Sequence, residues 1–154
     1  MSFITSPSPE DETSIISNSQ FWPDIDISVL RSAIRLDGTV TEPRLIHAVI
    51  NAIAWVNQDL ADWRKEQQAI GITSLANVEA EQINHESILI QHYLRAVYAM
   101  TKANLIEHYR DFDPTGDGHK AADKLELSAD DLYRDARFAI RDIIGQSHTT
   151  VELI

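Results

Sequence analysis

The segment with the clearest potential for chemistry spans residues 111–126 and reads DFDPTGDGHKAADKLE. Aspartates that alternate with glycines suggest a calcium loop, in which a glutamate at the twelfth position closes the site. In a frame that begins at Asp111 the closing position is Ala122, and in a frame that begins at Asp113 it is Lys124. Neither frame supplies the closing carboxylate. The pattern therefore favours a polar linker with proline and glycine as turn formers, and a calcium-responsive helical regulator stays only as an alternative function.

The histidines do not form a recognisable metal or catalytic motif. They occupy positions 47, 85, 92, 108, 119 and 148, and neither HExxH nor Glu-x-x-His occurs in the sequence. His85 and His92 are spaced to share a helix face, but such a pair is more typical of ordinary structure than of a metal site. GxSxG, GxGxxG and P-loop motifs do not occur, and cysteine is absent. We predict a protein that is not an enzyme and that needs no cofactor.

The charge balance limits the classes of partner. A net charge of −11 argues against a general nucleic-acid binder, which needs a basic face. The arginines Arg134, Arg137 and Arg141 recur at helical spacing and would line one helix face. That helix face is either exposed to solvent and paired with aspartates, or it is a surface that docks a partner.

No segment is apolar enough to span a bilayer, and the first residues lack the pattern of a signal peptide, so we expect no membrane association and a cytosolic location.

Apolar periodicity predicts an all-α fold, a small helical bundle with one short and three long helices and extended N- and C-terminal arms. Residues 1–20 are rich in Ser, Thr, Pro and acid and are predicted to be a flexible arm. Residues 21–146 form the helical domain, and residues 147–154 an extended tail.

Capping residues set the expected helix ends. Thr41 is an expected N-cap with Pro43 in the first turn, and Ser128 with Asp131 forms a variant capping box. The predicted helices run, in order, from Asp24 or Asp26 to about Leu36, from Glu42 to Ile70, from Ile83 to Tyr109, and from Ser128 to Gly145.

Short blocks in a shared order cover about residues 21 to 154. They are FWPDID at 21–26, TVTEPRL at 39–45, DLADWRKEQ at 59–67, GITSLANV at 71–78, HES at 85–87, YLRAVYAM at 93–100, ANLIEHYRDFD at 103–113, KAAD at 120–123 and DLYRDARFAIRDIIG at 131–145. In their order and spacing they resemble the head-completion (GPL) proteins of contractile-tailed phages. No family block is evident in the N-terminal arm.

The resemblance implies a structural virion protein that acts after the genome is packaged. Such a protein forms a ring, expected to be dodecameric, beneath the portal and provides the docking surface for neck and tail. It is assembled in the host bacterial cytoplasm, and DNA passes through it without sequence-specific binding. Its implied partners are the portal protein, neck or head-closure and tail-terminator proteins, and further copies of itself. The alternative within the same class is a head-closure or tail-terminator component of the junction.

The resemblance also suggests which residues meet those partners. In related adaptors an extended terminus reaches the portal, which points here to the tail Ser147, His148, Thr149, Thr150, Val151, Glu152, Leu153 and Ile154. The loop after the third helix is the candidate contact with an adjacent ring or subunit, through Asp111, Asp113, Pro114, Asp117, His119 and Lys120. The arginine stripe is the candidate docking face of the last helix.

Overall fold

A computed structural model describes residues 14–36, 38–110 and 128–148. Its helices are α1 (Ile27–Ala33), α2 (Glu42–Asp59), α3 (Ala61–Ala69), α4 (Ile88–Arg110) and α5 (Ala129–Ile144), with a short 3₁₀ turn at Leu75–Asn77. Two small antiparallel sheets pair β1 (Ile15–Ile16) with β2 (Ile25–Asp26) and β3 (Gln82–Ile83) with β4 (Glu86–Ser87). The mainly helical prediction is confirmed, but several helix lengths differ and the two sheets were not predicted.

Helix α4 lies at the centre of the fold and packs against both α2 and α5. Near its start, the Tyr93 hydroxyl donates to Asn57 at the end of α2. Arg95 pairs with Asp142 late in α5, so both neighbours run antiparallel to α4. Tyr93 and Arg95 are two residues apart, which places them on nearly opposite sides of a helix. The bundle is therefore a layer with α4 between its two partners.

The amphipathic stripes predicted from the sequence form the core. The predicted inner face of α5 is buried throughout, and so is most of the stripe of α2. Each fully buried aliphatic side chain contributes about 1.5–3 kcal/mol, which compensates for the entropy of ordering long helices. The buried members are Leu45, Val49, Ala52 and Val56 of α2, Leu60 after it, and Leu132, Ala136, Ala139, Ile140 and Ile143 of α5.

The prediction of one helix from Glu42 to Ile70 is wrong, because the chain breaks at Leu60. Leu60 is fully buried and has φ −93° and ψ 5°, outside the regular helix, and α3 starts at the next residue. The break turns α3 so that Trp63 meets the rings of Phe21 and Trp22, with ring centroids 6.2 and 6.4 Å away. The apolar spacing continues unbroken across Leu60, so periodicity alone does not reveal the bend.

The third helix begins later than predicted, because residues 82–87 form a β-hairpin. Asn84 and His85 have φ of 53° and 63°, and two consecutive left-handed residues are the signature of the tight turn that suits hairpins. The N–H of Ile88 then donates to the Glu81 carbonyl at 2.9 Å as α4 starts. His85 lies in this turn, so it does not share a helix face with His92.

The predicted caps are largely confirmed. Asp26 caps α1, accepting from the N–H groups of Ser28 and Val29 at 2.9 and 3.3 Å, and the Ser28 hydroxyl is the main cause of its lowered pKa. Helix α1 ends at Ala33 rather than Leu36. Thr41 occupies the N-cap of α2, but its side chain makes no capping hydrogen bond.

Helix α5 has the predicted capping box and stop. The Asp131 N–H donates to Ser128 Oγ at 3.2 Å, and the Ser128 N–H donates to Asp131 Oδ2 at 3.3 Å. The Ser128 hydroxyl is also the largest cause of the lowered pKa of Asp131. Gly145 ends the helix with φ 74°, a left-handed conformation that glycine adopts without strain.

Part of the predicted N-terminal arm belongs to the folded body. Residues 15–16 form β1, and the Ile27 N–H donates to the Ser14 carbonyl at 2.7 Å. Residues 14–20 are thus tied to the start of α1, which corrects the predicted arm boundary at residue 20. Residues 1–13 lie outside the described residues.

Asn18, Asn57 and Tyr93 form a closed cycle of hydrogen bonds, called here the Tyr93 triangle. Asn18 Nδ2 donates to the Tyr93 hydroxyl at 2.7 Å, that hydroxyl donates to Asn57 Oδ1 at 2.6 Å, and Asn57 Nδ2 donates to Asn18 Oδ1 at 2.9 Å. Trp22 stacks on the Tyr93 ring with centroids 4.9 Å apart and planes at 11°. Burial raises the pKa of Tyr93, so its hydroxyl stays protonated and able to donate.

Replacing Tyr93 with Phe is expected to destabilise the protein by about 1–3 kcal/mol, because two asparagine side chains lose partners in a part-buried site. Urea unfolding followed by tryptophan fluorescence measures the change. The control is Tyr98→Phe, a half-buried tyrosine on the same helix outside the triangle, for which a loss below about 0.5 kcal/mol is expected. Equal losses of unfolding free energy in the two variants would show that the triangle stabilises the protein no more than a tyrosine hydroxyl outside it.

Candidate interaction surfaces

An open groove of about 650 Å³ lies between α2, from Pro43 to Trp55, and the second half of α4. The α2 residues that line the groove are spaced four apart in the sequence, which places them in one row along the helix. The facing residues come from the last three turns of α4. The lining is Pro43, Arg44, His47, Ala48, Asn51, Trp55, Met100, Asn104, Leu105 and His108.

The α2–α4 groove has an apolar floor and a rim of polar and basic groups. Ala48, Met100 and Leu105 are buried beneath it, while Trp55 keeps 37% of its surface exposed. The rim includes His47, whose Nε2 lies 3.2 Å from the Asn51 amide. Among the described residues that line the groove, none is a carboxylate, although the chain carries a net charge of −11.

These features suit the binding of a protein segment. An apolar floor releases water when an apolar side chain is buried on it, and a basic rim attracts acidic flanking residues. Across residues 14–36, 38–110 and 128–148, no group of three or more His, Cys, Asp or Glu side chains could hold a metal ion.

The predicted arginine stripe lies on α5, and its members have different surroundings. Arg134 pairs with Asp131 at 2.9 Å, one turn earlier, in a largely exposed contact. Arg141 Nη1 lies 3.5 Å from the His148 carbonyl, and Arg137 is exposed. Surface pairs of this kind contribute little stability, about 0–1 kcal/mol. A docking role for the stripe stays a prediction.

A second charged cluster, centred on Arg95, was not predicted from the sequence. Its guanidinium pairs with Asp135, and Arg95 Nη1 lies 3.6 Å from Asp142 Oδ2. The hydrogen bond to Asp135 is the main cause of the raised pKa of Arg95. The cluster sets how α5 lies along α4. Its partners come from separate helices, so no spacing within one segment could have revealed it.

The start of the predicted C-terminal tail folds back on α5. The His148 ring stacks on Phe138 with centroids 4.4 Å apart and planes at 5°. Its Nε2 also lies 2.6 Å from Asp142 Oδ1. These contacts anchor the chain at residue 148. Residues 149–154 lie outside the described residues.

The predicted contact loop lies between Arg110, the last residue of α4, and Ser128, which caps α5. Its residues Asp111, Asp113, Pro114, Asp117, His119 and Lys120 lie outside the described part of the chain. On α4, the lining of the groove extends to His108, two residues before the end of that helix. Among the helices that the structure describes, none is long and apolar enough to cross a bilayer.

Comparisons with known proteins point to one family. The model of the family "Phage head completion protein (GPL)" matches residues 16–154. The "Head completion/stabilization protein" of Escherichia phage P2 is 38% identical over 151 residues, which cover 98% of this chain and 89% of that protein. The "Probable head completion/stabilization protein" of Haemophilus phage HP1 is 26% identical over 144 residues, 94% of each chain. No solved structure gives a significant match.

Trp55 offers a direct test that the groove is open. The side chain of Trp22 is only 4% exposed and that of Trp63 is half-buried, whereas that of Trp55 is 37% exposed. Trp55 should therefore account for most of the fluorescence that an aqueous quencher can reach. Trp55→Phe is expected to lower the fraction of fluorescence accessible to iodide, whereas the control Trp63→Phe should lower it less. A larger fall with Trp63→Phe would contradict an open groove at Trp55.

Proposed function

This chain belongs to the phage head completion protein (GPL) family, and from that membership we propose that it forms a ring beneath the portal after DNA packaging, on which neck and tail dock. The main support for the proposal is the family match over residues 16–154, because it spans the described fold from β1 to the last helix. The fold supports a structural role, since its candidate surfaces suit contacts with proteins.

Its charge suits a ring through which DNA passes. A surface with net charge −11 repels the phosphate backbone and allows a duplex to slide without being gripped. Several basic groups of the described residues are paired locally with aspartates, such as Arg95 with Asp135 and Arg134 with Asp131. DNA would therefore pass without sequence-specific binding.

The C-terminal tail is the proposed contact with the portal. Stacking of His148 on Phe138 and its contact with Asp142 set the point at which the tail leaves α5. Six further residues, 149–154, extend at most about 20 Å when fully stretched. An extended segment with alternating apolar side chains, such as Val151 and Leu153, is suited to adding to the edge of a partner's sheet.

The α4–α5 loop is the proposed contact with an adjacent ring, such as the neck, or with a neighbouring subunit. The arginine stripe, which reaches along α5 to Arg141 beside the His148 carbonyl, is a proposed docking face. The loop leaves from the groove end of α4 at Arg110, whereas the tail leaves from the end of α5 near Arg95. Because α4 and α5 are antiparallel, these two points lie at opposite ends of the helix pair. One chain could then contact the portal at one end and the neck at the other.

Removing residues 147–154 is expected to abolish co-purification with the portal protein, because this deletion takes away both the tail and its His148 anchor. The matched variant replaces residues 114–119 with a Gly/Ser linker and should keep portal binding while lowering the yield of infectious particles. Size-exclusion chromatography with light scattering measures the complex, and plaque assays measure the yield. Portal binding that survives the tail deletion would overturn the tail assignment.

Cryo-microscopy of the neck would distinguish this ring from a head-closure or tail-terminator component, because it shows which ring touches the portal.

A further inference from the structure

One stripe of side chains along α3 starts in the core of the protein and ends in solvent. Leu60, which precedes the helix, is fully buried, whereas Ile70, which follows it, keeps 73% of its surface exposed. Between them Trp63, Arg64 and Gln67 recur at three- and four-residue steps, and all three are partly buried. An arginine therefore occupies a position on α3 that faces the body of the protein.

The Nε–H group of Arg64 is buried and has no hydrogen-bond acceptor. Among the described side chains, only the indole of Trp22 carries another buried N–H in this condition. Trp22 is 4% exposed, whereas Arg64 keeps part of its surface accessible, so a second molecule can reach Arg64 but not the indole. Because arginine does not release its proton, a buried donor without an acceptor costs folding free energy. Arg64 is thus placed to receive an acceptor from another molecule.

The charged neighbours of Arg64 on α3 do not supply that acceptor. Asp62 pairs with Lys65 at 3.5 Å, and both side chains are largely exposed. Asp62 and Glu66 each lie two residues from Arg64, about 200° around the helix, so their carboxylates face away from it. The four side chains together carry no net charge. The unmatched Nε–H of Arg64, and not the local charge, therefore selects the ligand.

We propose that Arg64 binds a carboxylate group of a second copy of this chain, in the contact between neighbouring subunits. A carboxylate only accepts hydrogen bonds, and its two oxygens match the Nε–H and one Nη–H of a guanidinium. A second copy is a rich source of this group, because the chain has 24 Asp and Glu residues against 13 Lys and Arg. A DNA phosphate offers similar oxygens, but the net charge of −11 repels a duplex.

The inference rests on the proposed ring and names a residue at which its subunits join. The exposed Ile70, at the end of the same stripe, adds apolar surface that a neighbour would remove from water. Since Arg64 of one copy meets a carboxylate of the next, the contact can repeat from copy to copy and close into a ring.

Arg64→Met tests whether the acceptor is missing from the isolated chain. Methionine keeps an unbranched stem and removes the unmatched donor, so the urea midpoint of the dilute full-length protein should stay the same or rise. The control Arg95→Met removes a guanidinium that pairs with Asp135 and Asp142, and it should lower the midpoint. A fall with Arg64→Met as large as with Arg95→Met would place the partner of Arg64 within its own chain and overturn the inference.

Nuclear magnetic resonance tests the second copy as the ligand. The Nε–H signal of Arg64, assigned by its absence from the Arg64→Met spectrum, is followed in dilute nitrogen-15-labelled protein. Unlabelled wild-type protein is then added up to millimolar concentration. The signal should move saturably, and added salt should reduce the movement, because the pair is ionic.

Three outcomes of this titration would contradict the inference. They are no movement of the signal, a movement that salt does not reduce, and a movement that appears only with purified portal protein or with duplex DNA. A saturable, salt-sensitive movement in a protein that is missing from virions would instead overturn the proposed function and leave the contact at Arg64 standing.

Discussion

The fold depends on the Tyr93 triangle, because its hydrogen bonds join segments that are far apart in sequence. Tyr93 lies 75 residues from Asn18 and 36 residues from Asn57, and each partner both donates and accepts within the cycle. The stack of Trp22 on Tyr93 excludes water above it. The cycle holds the end of α2 against the start of α4, and the groove runs between the same two helices from Trp55 to Pro43.

Local chemistry made several parts of the fold predictable from sequence. Asp26, the Ser128–Asp131 box and Gly145 act within one or two turns of their own positions, and the inner face of α5 follows from spacing alone. The bend at Leu60 could not be predicted, since the apolar spacing continues across it and the ring contacts of Trp63 beyond it are with Phe21 and Trp22, which are remote in the sequence. The Asn84–His85 turn carries a weak local signal, which the following helical pattern obscured. Asn18 looked like part of a polar arm because its partners are remote.

The candidate surfaces also divide into those that the sequence indicates and those that only the structure shows. The arginine stripe and the start of the tail were located from spacing and from family resemblance, and the structure adds their neighbours, Asp131 and Phe138. The α2–α4 groove was missed, because it exists only when rows from two helices face each other. Its one sequence signal is the four-residue spacing of His47, Asn51 and Trp55 in a helix whose other face is apolar.

The central claim is that this chain is a structural virion component added once the head has been filled. Quantitative mass spectrometry of purified virions and of empty precursor shells from the same infection tests it most directly. The claim predicts peptides of this protein in particles with full heads, at a constant ratio to the portal protein, and none in the precursor shells. Equal amounts in both kinds of particle, or no peptides in virions, would contradict it.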